Sequence, residues 1–415
     1  MKCKILYLLV VMMIGSGINN AVSSQQKESW LYTKLNNDAS PALKEVLTDP
    51  DQYRVQVIYT RIDRDKNNKP HFTSYRLFKK DNYFYPASTV KLPTVLVALE
   101  KLNELHVAGL DIHATMITDS AYTHQLKVSK DSSAMDMKPS IAQYIKKIFV
   151  VSDNDAYNRL YEFDGQHYLN EKLQAKGYKD TRIVHRFQYP MTEEENKHTN
   201  PITFFNNDQL IYKQPAAYNE QTIPSPDPIL IGNKHVDANE VLKDGPMDFS
   251  HKNNFPLAEQ QTMLRTVLFP ESVAKEKRFN LTKEDYSFVY KYMSMMPGES
   301  EDPKYDKKEF FDTYAKFFIY RSDKKQKPDY MRIFSKAGWS HGFLTDNAYI
   351  IDTKNKVEFM VSATIYVNSD GIVNDDKYDY DEKGYPFFKE VGEILYQHEL
   401  QRTRKFKPDF SKFGL

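Results

Sequence analysis

Strand-like sequence occurs in two places far apart in this chain, and that separation constrains the fold more than any other feature. Tyr53 to Ile62 alternates, with Val55, Val57 and Tyr59 on one side. Asp65-Lys66-Asn67-Asn68-Lys69-Pro70 reads as a turn, and His71 to Phe78 as the second strand of a hairpin. The pattern returns only at Met331 to Gly338, Asn347 to Asp352 and Val357 to Tyr366, with Thr353 to Lys356 as a hairpin turn. Between the two groups the apolar period is helical over Ile141–Val150, Ala156–Phe163, Tyr168–Lys176, Ala258–Phe269 and Lys283–Met295. The early and late strands are therefore expected to meet in one antiparallel sheet of about five strands. Helical segments at the two ends, one broken near Pro41, carry apolar stripes (Leu31, Leu35, Leu43, Leu47; Val391, Ile394, Leu395) that would cover it. The expected class is α+β: an antiparallel sheet flanked by helices plus an all-helical lobe. The sheet lobe spans about 24–87 and 330–415, and the helical lobe about 88–329. Residues 205–250, rich in Asn, Asp and Pro and without period, read as an insertion with little regular structure.

The charge balance, 57 Lys and Arg against 56 Asp and Glu, gives no ground for a nucleic acid or membrane-surface partner. The first residues, Met1-Lys2-Cys3-Lys4 and the apolar run from Ile5 to Ile14, are too short to span a bilayer. With Ala21-Val22-Ser23 behind them they read as a secretory signal peptide, residues 1–23. The expectation is an exported protein, periplasmic or extracellular, monomeric and without a membrane anchor after cleavage. Cys3 is the one cysteine, so the mature chain has no thiol chemistry. Asp63 and Asp65 lack the glycine and glutamate of a calcium loop, and the acidic run Asp375 to Glu382 reads as solvated. No metal and no cofactor is expected.

The chemistry starts at Ser88. Ser-x-x-Lys occurs at Ser24, Ser88, Ser272 and Ser322, but Ser88 alone follows a strand-like segment and opens a strongly apolar helix, Val95 to Leu99. One turn on, Lys91 shares its face, and a half-buried lysine loses preference for its charged form. Such an amine can take the proton of a serine hydroxyl, which is otherwise a poor nucleophile. Ser152-Asp153-Asn154 lies between two helical segments, with Asp155 as a candidate cap for the second. Lys336-Ala337-Gly338 lies on a strand and runs into Trp339-Ser340-His341-Gly342. A Lys-x-Gly also occurs at Lys243, in a polar stretch.

In that order and context the chain resembles the class A β-lactamases and the related penicillin-binding D,D-peptidases, whose signature is Ser-x-x-Lys, Ser-Asp-Asn and Lys-Thr-Gly. The resemblance covers about 50–200 and 255–400. It implies Ser88 as nucleophile and Lys91 as general base or proton relay. Ser152 would pass a proton to the leaving nitrogen, and Lys336 would tune Ser152 and attract a substrate carboxylate. Asn154 would hold Lys91 and the substrate amide, and Asp153 would be structural. The oxyanion would sit between the N–H of Ser88 and that of Trp339 or Ser340, with Gly338 leaving room for the acyl group. Two departures stand out. Ala337 replaces a hydroxyl residue, for which Ser340 or a water would have to substitute. Gln188 stands two residues after Arg186, where class A enzymes have the glutamate that activates the deacylating water, and a glutamine takes no proton from water. Glu193, Glu194 and Glu195 follow in the same segment, read as a charged loop tip, and His198-Thr199-Asn200-Pro201 resembles its end. The resemblance therefore implies an exported serine hydrolase that opens β-lactam rings through a Ser88 acyl-enzyme, with slow deacylation and a link to antibiotic resistance. A D,D-peptidase or other cell-wall amide or ester hydrolase is the alternative, and a non-catalytic envelope binding protein the second.

Overall fold

The computed structural model describes residues 28–77, 82–225, 228–324 and 326–415. The segment read as a signal peptide lies outside them. Among the described residues no helix is long and apolar enough to cross a membrane.

The two strand groups do meet. The sheet runs in the order β3 (Met331–Ser335), β5 (Phe343–Asp352), β6 (Val357–Tyr366), β1 (Gln56–Arg64), β2 (Pro70–Leu77), every pair antiparallel. A sixth short strand, β4 (Gly338–Ser340), pairs with β5 and continues the register of β3: Ser335 faces Ala348 and Gly338 faces Thr345. The edge strand is thus interrupted only at Lys336-Ala337. Its pleat sorts side chains between two cores. Ile333 and Ala337 pack with helix α10 (Tyr385–Gln401) and with α1 (28–38) and α2 (Pro41–Thr48), where Leu31, Leu35, Leu43 and Leu47 are all buried. Phe334 packs on the other face, toward the helical lobe. Position 336 has the parity of 334, so Lys336 starts out on the helical-lobe side.

That lobe is built around α3 (Lys91–Leu105), which is apolar on every side: Leu92, Val95, Leu96, Val97 and Leu99 are all buried. A helix of that kind belongs inside a bundle. Around it pack α4 (Ile141–Val151), α5 (Asn154–Asp164) and α6 (Gln166–Ala175), while α8 (Leu257–Leu268) and α9 (Lys283–Ser294) join the lobe to the sheet. The α-helix begins at Lys91 rather than at Ser88. A 3₁₀ turn over Ala87–Val90 precedes it, and Ala87 has a left-handed φ of 44°.

Two expectations need correcting. Asp153, not Asp155, caps α5, accepting the Ala156 N–H at 2.7 Å. Residues 205–250 are not without regular structure. Ile202–Asn206 and Gln209–Gln214 form a hairpin beside Thr115–Thr118, turned by Asn207 and Asp208, both left-handed. Lys234–Val236 pairs with Leu242–Asp244, and Leu230–Ile231 with Met247–Asp248. These strands are two to six residues long and mostly exposed or half-buried, too short for an apolar period to announce them.

Candidate active site

The corner between α4 and α5 brings two lysines onto one serine. Ser152 ends α4 in the left-handed region (φ 63°), a conformation costly for any residue but glycine. Asp153 caps the next helix, so Asn154 falls in its first turn. The buried Lys91 amine donates to the Ser152 carbonyl (2.5 Å), the Ser152 hydroxyl (3.3 Å) and Asn154 Oδ1 (2.5 Å). From the sheet side, the buried Lys336 amine donates to the same hydroxyl (2.8 Å) and to the Ala337 carbonyl (2.7 Å). Ser152 Oγ therefore bridges two amines that the chain separates widely.

Two ammonium groups this close, both buried, disfavour each other's charge. Burial, then Lys336, pushes Lys91 well below the ordinary lysine range, and Asp153 only partly offsets this. Burial also brings Lys336 down to about 7, against the pull of Asp346 and with the push of Lys316. Asp346 follows Thr345, the partner of Gly338, on β5; it is fully buried and accepts the Phe317 N–H at 2.9 Å.

Ser88 is half-buried on the 3₁₀ turn that leads into Lys91. Gly338 is pressed against that turn: a Cβ there would come 2.6 Å from the Ser88 nitrogen and 2.9 Å from the Pro86 carbonyl oxygen. No other residue type fits without moving the turn, which makes the glycine of the Lys-x-Gly sequence a spatial requirement. Ser88, Asn154, Gln188, Trp339 and Ser340 line one cavity of about 750 Å³. Lys91, Ser152, Lys336 and Gly338 are buried beside it. The Trp339 ring packs on Tyr314 and Phe317, with centroids 5.6 and 5.8 Å away. The Ala337 methyl is buried in the core on the α10 side.

The segment carrying Gln188 is anchored by buried charge. Arg186 Nε pairs with Glu162 at 2.8 Å, and its Nη2 donates to the His198 carbonyl (2.9 Å) and Asn200 Oδ1 (3.2 Å). Asn158 clamps Phe187 through both backbone groups, at 2.9 and 2.8 Å. Between these anchors Gln188 takes a left-handed φ of 68° and is exposed at the cavity. The three glutamates are not a loop tip. They open a short helix, α7 (Glu193–Lys197), in which Thr192 and Glu195 form a capping box. Glu195 also pairs with His124, and Glu194 with Lys197 and His198. Glu193 alone of the three lines the cavity.

His185, His341 and Lys252 also line the cavity, and no motif or spacing singles them out. His341 follows Ser340 directly and has a left-handed φ of 52°, and both imidazoles pack around Tyr85. Burial holds His185 down to about 3 and His341 to about 4, so both are neutral near pH 7.

A family described as the Beta-lactamase enzyme family matches residues 39–214. No curated protein matches the sequence. Similar solved structures include a beta-lactamase from Sphaerobacter thermophilus DSM 20745, 12% identical, with 90% of this chain and 99% of that one covered and a TM-score of 0.48. A halotolerant bacterial beta-lactamase is 14% identical, with 88% and 100% covered and a TM-score of 0.46. A class A beta-lactamase from Clostridium kluyveri DSM 555 is 14% identical, with 86% and 97% covered and a TM-score of 0.46.

Proposed function

We propose, for a chain whose residues 39–214 carry the pattern of the β-lactamase enzyme family, an exported serine hydrolase that opens β-lactam rings through an acyl-enzyme on Ser88. The observation that carries this reading is the convergence of Lys91 and Lys336 on the Ser152 hydroxyl beside the Ser88 turn. Lys91 in its neutral form takes the Ser88 proton as Oγ attacks the carbonyl carbon. The negative oxygen is held by the Ser88 N–H and by an N–H of the Gly338–Ser340 edge. The C–N bond then breaks, and the leaving nitrogen receives the Ser152 proton, which the adjoining lysines restore. Lys336, while charged, attracts a carboxylate next to that nitrogen. Export with loss of about 23 residues, and action as a monomer outside the cytoplasm, belong to the same proposal.

Gln188 favours a second reading. Without a carboxylate there, hydrolysis of the ester is handicapped, which suits a D,D-peptidase or another cell-wall amide hydrolase that hands its acyl group on. Intact mass after mixing with a penicillin, a cephalosporin and a peptide ending in D-Ala-D-Ala separates the two. The first reading expects an adduct from the β-lactams and no cleavage of the peptide. Peptide cleavage with only stoichiometric β-lactam uptake establishes the second. No adduct and no cleavage leaves a binding protein and defeats both.

The lysines also set a pH profile. Acylation in the subsaturating regime reports the free protein's groups. It is expected to fall toward acid as Lys91 becomes protonated, and to fall again above about 7 as Lys336 loses its proton. A rate that keeps rising from pH 7 to the ordinary lysine range contradicts the assignment of a charged Lys336.

A further inference from the structure

Two cations of the cavity lining, Arg182 and Lys252, have no ion-pair partner among the described residues, and the Arg182 guanidinium is taken up by backbone carbonyls. Lys252 shares the lining with Ser88, Ser340 and His341. The acidic groups of that lining are engaged elsewhere: Glu193 pairs with His251 at 3.5 Å, and Asp248 accepts the Ser250 N–H at 2.8 Å. Among the described residues Lys252 has no ion-pair partner, and Glu193 acts on it only from longer range.

The wall that carries Lys252 is rigid. Arg182 donates to the Lys252 carbonyl from Nε (3.3 Å) and Nη2 (3.0 Å), and also to the carbonyls of Ser250 (2.6 Å) and Pro224 (2.9 Å). The guanidinium is thus used up on neutral acceptors, and its charge adds to the local positive field. The Asn253 side chain accepts the N–H groups of Val184 (2.8 Å) and His185 (3.3 Å), tying the same wall to the Gln188 segment. His185 and His341 both feel the Lys252 charge and are neutral near pH 7. The Lys252 amine is therefore the charged donor left at this end of the cavity. Burial lowers its pKa, and an anion beside it would restore the charged form.

We propose that Lys252 is the recognition point for a carboxylate on the part of the substrate that lies toward His341, away from the bond attacked by Ser88. This rests on the serine hydrolase reading and deepens it to a substrate class, acyl groups bearing a second acidic function. It also gives the stretch around 221–252 a purpose, since that stretch supplies part of this wall.

Benzylpenicillin and its α-carboxy analogue differ by one side-chain carboxylate. Second-order acylation constants for both are measured by intact mass on the wild type, Lys252→Met and Lys252→Arg, and their ratio cancels any general loss of activity. The wild type is expected to favour the α-carboxy compound. Lys252→Met should lower that preference by about tenfold or more, the loss of one charged hydrogen bond, and Lys252→Arg should keep it. A preference unchanged in Lys252→Met overturns the proposal. Equilibrium binding of both compounds to Ser88→Ala, with and without Lys252→Met, is measured alongside. If neither compound acylates the wild type, the hydrolase reading fails while binding still decides the subsite. A preference lost with Lys252→Met supports it, and equal affinity, or no binding of either compound, overturns it.

Discussion

Mixed with a penicillin, the protein is expected to show a burst equal to its concentration and then slow turnover, with the acyl-enzyme visible by mass for minutes. Formation of the ester asks for a nucleophile, a base and two N–H donors, the roles proposed for Ser88, Lys91 and the Ser88 and Gly338–Ser340 backbone. Its hydrolysis asks for a base that takes a proton from water. Gln188 can align water but cannot deprotonate it, and its backbone leaves it exposed at the cavity. A missing general base slows a step by about 10²–10⁴-fold, or about 3–5 kcal/mol of barrier. Gln188→Glu should therefore shorten the acyl-enzyme lifetime. Of the three nearby glutamates, Glu193 alone lines the cavity, 3.5 Å from His251, while Glu195 is committed to its capping box and Glu194 lies against Lys197 and His198. Fast turnover without accumulation, abolished by Glu193→Gln, would move the base from position 188 to 193.

Lys91→Ala is expected to slow acylation by about 10²–10⁴-fold. The loss has two parts. The base disappears, and the three acceptors that held it, the Ser152 carbonyl and hydroxyl and Asn154 Oδ1, are left with no donor from that side. Lys91→Arg should not rescue the rate, because a guanidinium remains charged at any working pH. Stopped-flow acylation with a chromogenic cephalosporin measures both variants. A Lys91→Arg protein with near wild-type rate would show that the charge of residue 91, and not its proton affinity, is what the site uses.

Much of this was readable in the sequence, for reasons tied to particular residues. Val57, Ile350 and Phe359 stand in runs whose apolar spacing survives in any context, and the sheet they predict is present. Its sixth strand was hidden because Gly338–Ser340 is short and continues the register of Met331–Ser335 across a two-residue gap. The three short sequences at Ser88, Ser152 and Lys336 were legible because each sits at a boundary between elements, where packing alone does not dictate residue type. Sequence alone does not separate Asp153 from Asp155 as the cap, since both are competent and only the backbone turn at Ser152 decides between them. Lys252, His185 and His341 carried no signal, since their neighbours come from segments far apart in the chain. The influence of Asp346 and Lys316 on Lys336 is likewise a product of the folded chain, since all three come from separate segments.

Whether Ser88 forms the covalent bond is read directly by labelling. A fluorescent penicillin is mixed with the purified protein, the labelled protein is digested, and the modified peptide is sequenced by mass. A single label on Ser88, lost in Ser88→Ala, is the expected result. A label on Ser272 or Ser322, or full labelling of Ser88→Ala, would contradict it.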